Sequence, residues 1–536
     1  MPDIRDMRWL RILTTDLSDR KGFLFSFVLG FVVRLIPEVL SYPYPIGFDT
    51  VYYGAMIERG IVWQDWTSIF STWLLDSILI PIHQVTQVDP FALLKLAAPI
   101  LYALNVCGVY YFSRKALSWS VRKSLTASLF CVFQLALLRL SWDLYRNMLG
   151  LTILLFTLPL IRGIETKKGF TLFVLMSVLV VFAHMLVPIV LFAVILGTFI
   201  GALMKGEKVR AVKALLVVLP ALIIFVASVS LVPGRSNMPA NVINTYEEPT
   251  RPGGLFFLAN YLSVSDPVHS YSAYPDLVFY VLFLFSVLYL WWLPLVLIGF
   301  FRDITLDSWT LVFLVGSFNV LITPFCALSV WNRWMFMLVY PFTFYAVSGI
   351  EKVFKAKGKS VASSFRWLRW MKVSRKAMFV MFSIAVVSGS IFMTMPPLFD
   401  KFDKFEAGPR LPTAHSYLPS TMLYNTVPLR DVESTVNVMN WLNEYMNNDS
   451  SVLVHLDFLW WASLHLDERH VIVYYVEGGR KALDVAKQHS FDRIYLVWWS
   501  ESVDWYGFEI PKSFISVVNT DRISVFEYVV DGYGQS

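Results

Sequence analysis

Apolar runs of about 20 residues recur from residue 22 to residue 395, and this constrains the fold more than any other feature of the chain. Inside lipid a backbone has no water to bond to, so each such run must close its own hydrogen bonds as a helix. Reading for runs of about 17 to 25 residues predicts about eleven spans, at 22–41, 90–112, 124–141, 147–162, 169–184, 188–204, 212–232, 277–301, 308–325, 331–350 and 377–395. Composition agrees. The 536 residues are 56% hydrophobic and 16% charged, with mean hydropathy +0.57, where a soluble chain carries roughly 25% charged residues. The net charge of +6 is therefore no sign of a nucleic-acid partner, because membrane proteins collect Lys and Arg in cytoplasmic loops. The three cysteines, Cys107, Cys131 and Cys326, form neither a disulfide framework nor a zinc spacing.

Charge bias orients the spans. With the N-terminus in the cytoplasm, the inner segments hold about 26 Lys and Arg, against about five in the short outer loops. An odd number of spans then places the C-terminal tail outside. Residues 66–88, WTSIFSTWLLDSILIPIHQVTQV, carry Asp76, Pro81 and His83; they read as interfacial helices lying on the membrane. The tail from 431 alternates strand-like runs (SVLVHLDF, RHVIVYYV, DRIYLVWW, SVFEYVV) with helix-like stretches at DVESTVNVMNWLNEYM and GRKALDVAKQH, the pattern of a small α/β domain. The expected organisation is an α-helical polytopic membrane domain over 1–395 with outer loops 42–89 and 233–276, a proline-rich linker over 396–430, and an extracytoplasmic α/β domain over 431–536.

Ionisable groups in or beside spans are costly, which makes them functional candidates. With this orientation they gather on the outer face. Asp49 follows the first span in YPIGFDTVYY, and Asp143, Arg146 and Asn147 lie in SWDLYRNMLG, in a very short turn. His184 lies in FAHMLVP, and Arg333 opens the tenth span in SVWNRWMFM. Arg34 and Glu38, four apart near the outer end of the first span, share a helix face. Each has a plain structural role open to it: hydration at a boundary for Asp49, capping or pairing with Arg146 or Arg139 for Asp143, snorkelling for Arg333, mutual pairing for Glu38 and Arg34. Together they place two carboxylates, a histidine and arginines beside a long polar loop, and the cytoplasmic loops offer no comparable cluster.

The motifs GFDTVYY, SWDLYRNMLG, HMLVP and NRWMFMLVYP resemble those of GT-C type integral-membrane glycosyltransferases, the group that includes protein mannosyltransferases, aminoarabinose transferases and oligosaccharyltransferases. The resemblance implies a polyprenyl-phosphate-linked sugar donor, dolichyl phosphate being one such carrier, and an essential acid in the first outer loop at Asp49. It also implies a second acid at Asp143 and phosphate-holding cations at Arg333 and, with a weaker match, Arg146; His184, Glu38 and Arg34 are expected in support from their place on the same face. The sequence departs from oligosaccharyltransferases: Asp143-Leu144-Tyr145 offers one acid where they carry a pair, and LWWASLH has no acid beside Trp460-Trp461. A monophosphate-sugar transferase fits better. No cofactor is expected, since a divalent metal lacks its paired-acid motif.

The expected function is sugar transfer to a glycan, lipid or protein acceptor on the extracytoplasmic face of the cell membrane, or of the endoplasmic reticulum in a eukaryote. The alternatives are a lipid or solute transporter, which would put charges near the bilayer midplane in paired halves, and a non-catalytic assembly protein, for which Asp49 and Asp143 would be dispensable. An O-acyltransferase acting through His184 lacks a second motif.

Overall fold

The structure, a computed structural model, describes residues 18–60, 66–231, 238–245, 274–321, 331–355, 361–362, 372–394, 427–475, 479–489, 491–500, 510 and 512–529. The expected linker therefore lies almost wholly outside the described residues, as does most of the outer loop 233–276.

In chain order the first helices are α1 Asp19–Leu40, α2 Phe48–Arg59, α3 Leu74–Thr86, α4 Pro90–Lys115, α5 Val121–Cys131, α6 Leu135–Asp143 and α7 Tyr145–Thr157. They continue with α8 Lys167–Ala183, α9 Val187–Met204 and α10 Lys208–Leu231. After strand β1 (Val242–Asn244) come α11 Tyr274–Phe285, α12 Leu293–Gly299, α13 Ile304–Phe318, α14 Trp331–Met337 and α15 Val339–Lys355. A two-residue pairing of β2 (Val361–Ala362) with β3 (Lys372–Val373) precedes α16 Arg375–Thr394. Starts follow local chemistry. Asp89 accepts the Ala92 N–H (2.9 Å) ahead of Pro90 at the first turn of α4, and Asp303 accepts from Thr305 and Leu306 at α13.

Among the described residues, five helices are long and apolar enough to cross a membrane (α1, α4, α9, α10 and α16), or seven if α5 with α6 and α11 with α12 each count as one bent span. The bends are 66° and 67°. At the first bend the freed carbonyls find new donors: Tyr102 donates to the Val132 carbonyl (2.6 Å) and the Gln134 side chain to that of Phe130 (3.1 Å), as an apolar setting demands. The other expected spans coincide with shorter helices, α7, α8, α13 and α14 with α15. Hydropathy marks an apolar run but is blind to a break inside it, so length and composition support five to seven spans among the described residues, and the rest of the expected eleven lie on shorter helices.

Glycines let α12 and α15 touch backbone to backbone. A Cβ on Gly299 would collide with the Tyr345 carbonyl, and one on Gly349 with that of Leu295. Around this contact lies a core rich in rings, including Trp292, Trp309, Trp331, Tyr340 and Tyr345.

The C-terminal part adds α17 Val432–Tyr445, β4 Ser450–His455, α18 Leu456–His465, β5 Val471–Tyr475, α19 Arg480–Gln488, β6 Arg493–Trp499, β7 Phe514–Asn519 and β8 Ile523–Val529. The six-stranded sheet runs β1-β5-β4-β6-β8-β7. Its first four strands are parallel and the last two pair antiparallel. The four strand-like runs all become strands, but the first one stops at His455 and its LDF begins α18. The edge strand β1 comes from the 233–276 segment and pairs with β5 through Val242–Ile472, Ile243–Val473 and Asn244–Tyr474. Three residues in a loop give no periodic signal, so only tertiary pairing reveals this strand.

The sheet domain seats on α2. Val51 of α2 lies in the sheet domain's own core. Tyr52 packs edge-on against Trp460 (4.7 Å between ring centres), Phe91 packs on Trp461 (5.6 Å), and Arg59 donates to the Ser463 carbonyl (2.9 Å from Nε). The Trp460-Trp461 pair in LWWASLH is thus a docking surface.

Candidate active site

Asp49 stands in the first turn of α2, and the residues before it explain how it gets there. Gly47 precedes the helix at φ +92°, a conformation that disfavours any side chain. A Cβ there would also lie 2.5 Å from the Cβ of Asp143. The glycine thus admits Asp143 from the end of α6, and the Asp143 carboxylate accepts the Phe48 N–H (3.0 Å). A carboxylate from one helix caps the start of another, satisfying a donor that α2 cannot satisfy itself. Asp143 is itself held by Arg139 one turn earlier in α6, through an ion pair in which both side chains are buried. Thr50 donates to the Ile46 carbonyl (2.5 Å) and lies 3.3 Å from the Tyr145 hydroxyl, which ties the same turn to α7.

Arg333, in the first turn of α14, places Nη2 3.9 Å from Oδ2 of Asp49. At that distance the two attract without a direct hydrogen bond. Both side chains are about one third exposed, at 35% and 33%; the other ion pairs of the cluster are more deeply buried. The Asp49 carboxyl is pushed up to about 6, chiefly because protein surrounds most of it and then by the Asp143 carboxylate, against the pull of Arg333, Arg139 and Arg146. Solvent at the open third screens part of these fields.

The other expected residues divide. Arg146 is bound to Asp76 of α3 (2.6 Å) and lies over the rings of Tyr52 and Tyr53 (5.4 and 5.5 Å). It is therefore committed to a close partner, whereas among the described residues Arg333 stands 3.9 Å from Asp49. His184 caps the end of α8, where its Nδ1 accepts the Leu186 N–H (3.2 Å) and so leaves the ring proton on Nε2. It packs against Gly150 and is within electrostatic reach of Arg333 and Arg146. Arg34 and Glu38 pair at 2.7 Å, fully buried, beneath the end of α6.

Two residues escaped the sequence reading as participants. Asp76 fixes Arg146, and Lys95 joins Glu38 at 3.1 Å. A charge inside an apolar helix was the available signal for each: LLDSILIP for Asp76 and PFALLKLAAP for Lys95. Among the described residues, no three or more His, Cys, Asp or Glu side chains gather as a metal site would require.

No protein-family model matches the chain, and no curated protein matches it. Among solved structures it is similar to the crystal structure of ArnT from Cupriavidus metallidurans bound to undecaprenyl phosphate, with TM-score 0.49 and 12% identity, over 99% of this chain and 100% of that one.

Proposed function

We propose that the protein is a membrane glycosyltransferase that moves a sugar from a polyprenyl-phosphate donor to a hydroxyl of a lipid, glycan or protein on the extracytoplasmic face. The observation that carries this reading is the half-open pair of Asp49 and Arg333. A carboxylate with a raised pKa, able to take a proton, stands beside a cation able to hold a phosphate. Both lie at helix ends, where a donor could keep its prenyl tail in lipid.

The chemistry follows from those two groups. Asp49 takes the proton of the acceptor hydroxyl while that oxygen bonds to the anomeric carbon. The bond from the anomeric carbon to the phosphate oxygen breaks, and its electron pair leaves on the phosphate. Arg333 binds that phosphate and stabilises the charge it gains. Asp143 touches no open space; its carboxylate orients α2, so its role is to aim Asp49. Arg146, occupied by Asp76, supports the tyrosine-lined side of the site, and His184 contributes a neutral N–H. A transporter reading gains nothing from a site at helix ends whose acid is aimed by a dedicated cap.

Incubation of the purified protein with a panel of radiolabelled polyprenyl-phosphate sugars and membrane-extracted acceptors tests the reading. Transfer of label from at least one donor is expected. Release of no label from any donor, by protein that retains its fold, overturns it.

A further inference from the structure

Beneath the site lies a group of charges that the proposed chemistry does not use. Arg34 (0% exposed), Glu38 (3%) and Lys95 (8%) are buried together between α1 and α4. Lys95 donates to the Glu38 carboxylate (3.1 Å), to the Glu38 carbonyl (3.1 Å) and to Ser41 Oγ (2.7 Å). Glu38 in turn holds Arg34 at 2.7 Å. Arg34 then turns away from its own helix. Its Nε donates to the Ser141 carbonyl (3.2 Å) and to Ser141 Oγ (3.1 Å), and its Nη2 to the carbonyls of Ser141 (3.1 Å) and Trp142 (3.3 Å).

Those carbonyls belong to the last turn of α6, immediately before Asp143. The end of a helix leaves carbonyls without partners and a partial negative charge. A buried guanidinium answers both needs, and its fork fixes two consecutive carbonyls at once. The three side chains sum to one positive charge, which the helix end faces.

We infer that Arg34, anchored by Glu38 and Lys95, is a positioning residue that holds the end of α6 so that Asp143 caps α2 and aims Asp49. The connection runs through contiguous contacts: Arg34 to the carbonyls of Ser141 and Trp142, Asp143 to the Phe48 N–H, and the first turn of α2 to Asp49. This rests on the reading of Asp49 as the base.

The test uses the full-length protein in lipid nanodiscs, with Arg34→Gln, Arg34→Lys and a control, Asn105→Leu. Arg34→Gln leaves Glu38 and Lys95 as a neutral pair, so no unmatched charge is created in the interior. Asn105 is also buried and hydrogen-bonded, to Thr152 (3.1 Å) and Tyr340 (3.0 Å), but it has no contact with the end of α6 among the bonds described. The first readout needs no activity: amide hydrogen exchange of segment 44–52, which contains the Phe48 N–H. Exchange there is expected to quicken in Arg34→Gln, to be intermediate in Arg34→Lys, and to match wild type in Asn105→Leu. Equal exchange in all four proteins overturns the inference. So does quickening in Asn105→Leu as large as in Arg34→Gln, since that would be general loosening.

The second readout is the pH dependence of turnover. The charged and titratable groups bearing on Asp49 are Asp143 and Arg139 from α6, Arg146 from α7, Arg333 from α14 and Tyr53 on its own helix. Loosening Asp143 weakens the field of its negative charge at Asp49, so the acid limb of kcat should move to lower pH in Arg34→Gln. Turnover itself should fall roughly 10- to 100-fold, as for a misplaced catalytic group, at unchanged donor KM. A lower kcat with no movement of the limb refutes a positioning role. Absence of transfer by wild type would instead defeat the base reading, while the exchange result would still decide whether Arg34 holds the cap.

Discussion

Replacing Asp49 by Asn keeps the size of the side chain and removes its charge and its capacity to take a proton. Two consequences follow, with opposite signs. Loss of the base should lower kcat by about 10²- to 10⁴-fold, the usual worth of general-base catalysis, or roughly 3 to 5 kcal/mol at 1.36 kcal/mol per decade. Donor binding should not weaken. In wild type the carboxylate 3.9 Å from Arg333 competes with an incoming phosphate for the guanidinium. Coulomb's law gives roughly 1 to 4 kcal/mol for unit charges at such a distance, for effective dielectric constants between 80 and 20. With both groups about one third exposed, screening reduces this to about 1 kcal/mol or less. Donor KM in Asp49→Asn should therefore stay level or fall a few-fold while kcat collapses. The wild-type rate should also rise with pH through about 6, because the carboxyl must lose its proton to act and its pKa is raised to about 6; the residual rate of Asp49→Asn should lack that limb. Steady-state transfer from a radiolabelled lipid-phosphate sugar between pH 4.5 and 8 supplies all three numbers. A kcat within a few-fold of wild type, or a donor KM raised ten-fold, would refute the assignment of a base beside a phosphate-binding arginine.

Further outcomes are expected elsewhere. Arg333→Ala should raise donor KM by roughly 10-fold or more, the worth of a charge-assisted hydrogen bond. Arg333→Lys should recover part of that by keeping charge without the fork; titration with donor decides, and an unchanged KM in the Ala variant removes Arg333 from the site. Gly47→Ala combines a strained φ with a Cβ 2.5 Å from Asp143. It should cost about 1 to 3 kcal/mol of stability and lower turnover with it, seen as a reduced Tm and a reduced kcat; wild-type values for both would show that the turn tolerates a side chain. For topology, a cysteine at Lys355 should be protected from an impermeant reagent in intact cells and one at Asn440 labelled, both in a background lacking Cys107, Cys131 and Cys326. The reverse pattern would put Asp49 on the cytoplasmic side.

Local pattern was enough for some features of this chain. A run such as FLFSFVLGFVVRLIPEVL can only be a helix in lipid, because backbone groups there must bond within the segment. The unbroken run of β-branched, aliphatic and aromatic residues in DRIYLVWW marks a strand buried on both faces. Asp49, Asp143 and Arg333 stood out because an ionisable group beside an apolar run is costly enough to require a reason.

What the pattern could not contain is which groups meet. Asp143 and Asp49 are 94 positions apart, and only the close approach at Gly47 turns one acid into the cap of the other's helix. Arg146 and Arg333 look alike as cations at helix ends; packing gives Arg146 to Asp76 and leaves Arg333 half-open beside Asp49. Lys95 reads as a flaw in a membrane helix until Glu38 and Ser41 are brought to it. Strand β1 exists only because β5 offers it an edge. Hydrophobicity and periodicity are properties of a segment, and so sequence determines them locally. A carboxylate's partner, exposure and proton affinity depend on the surrounding field and water, and the folded chain alone assembles those.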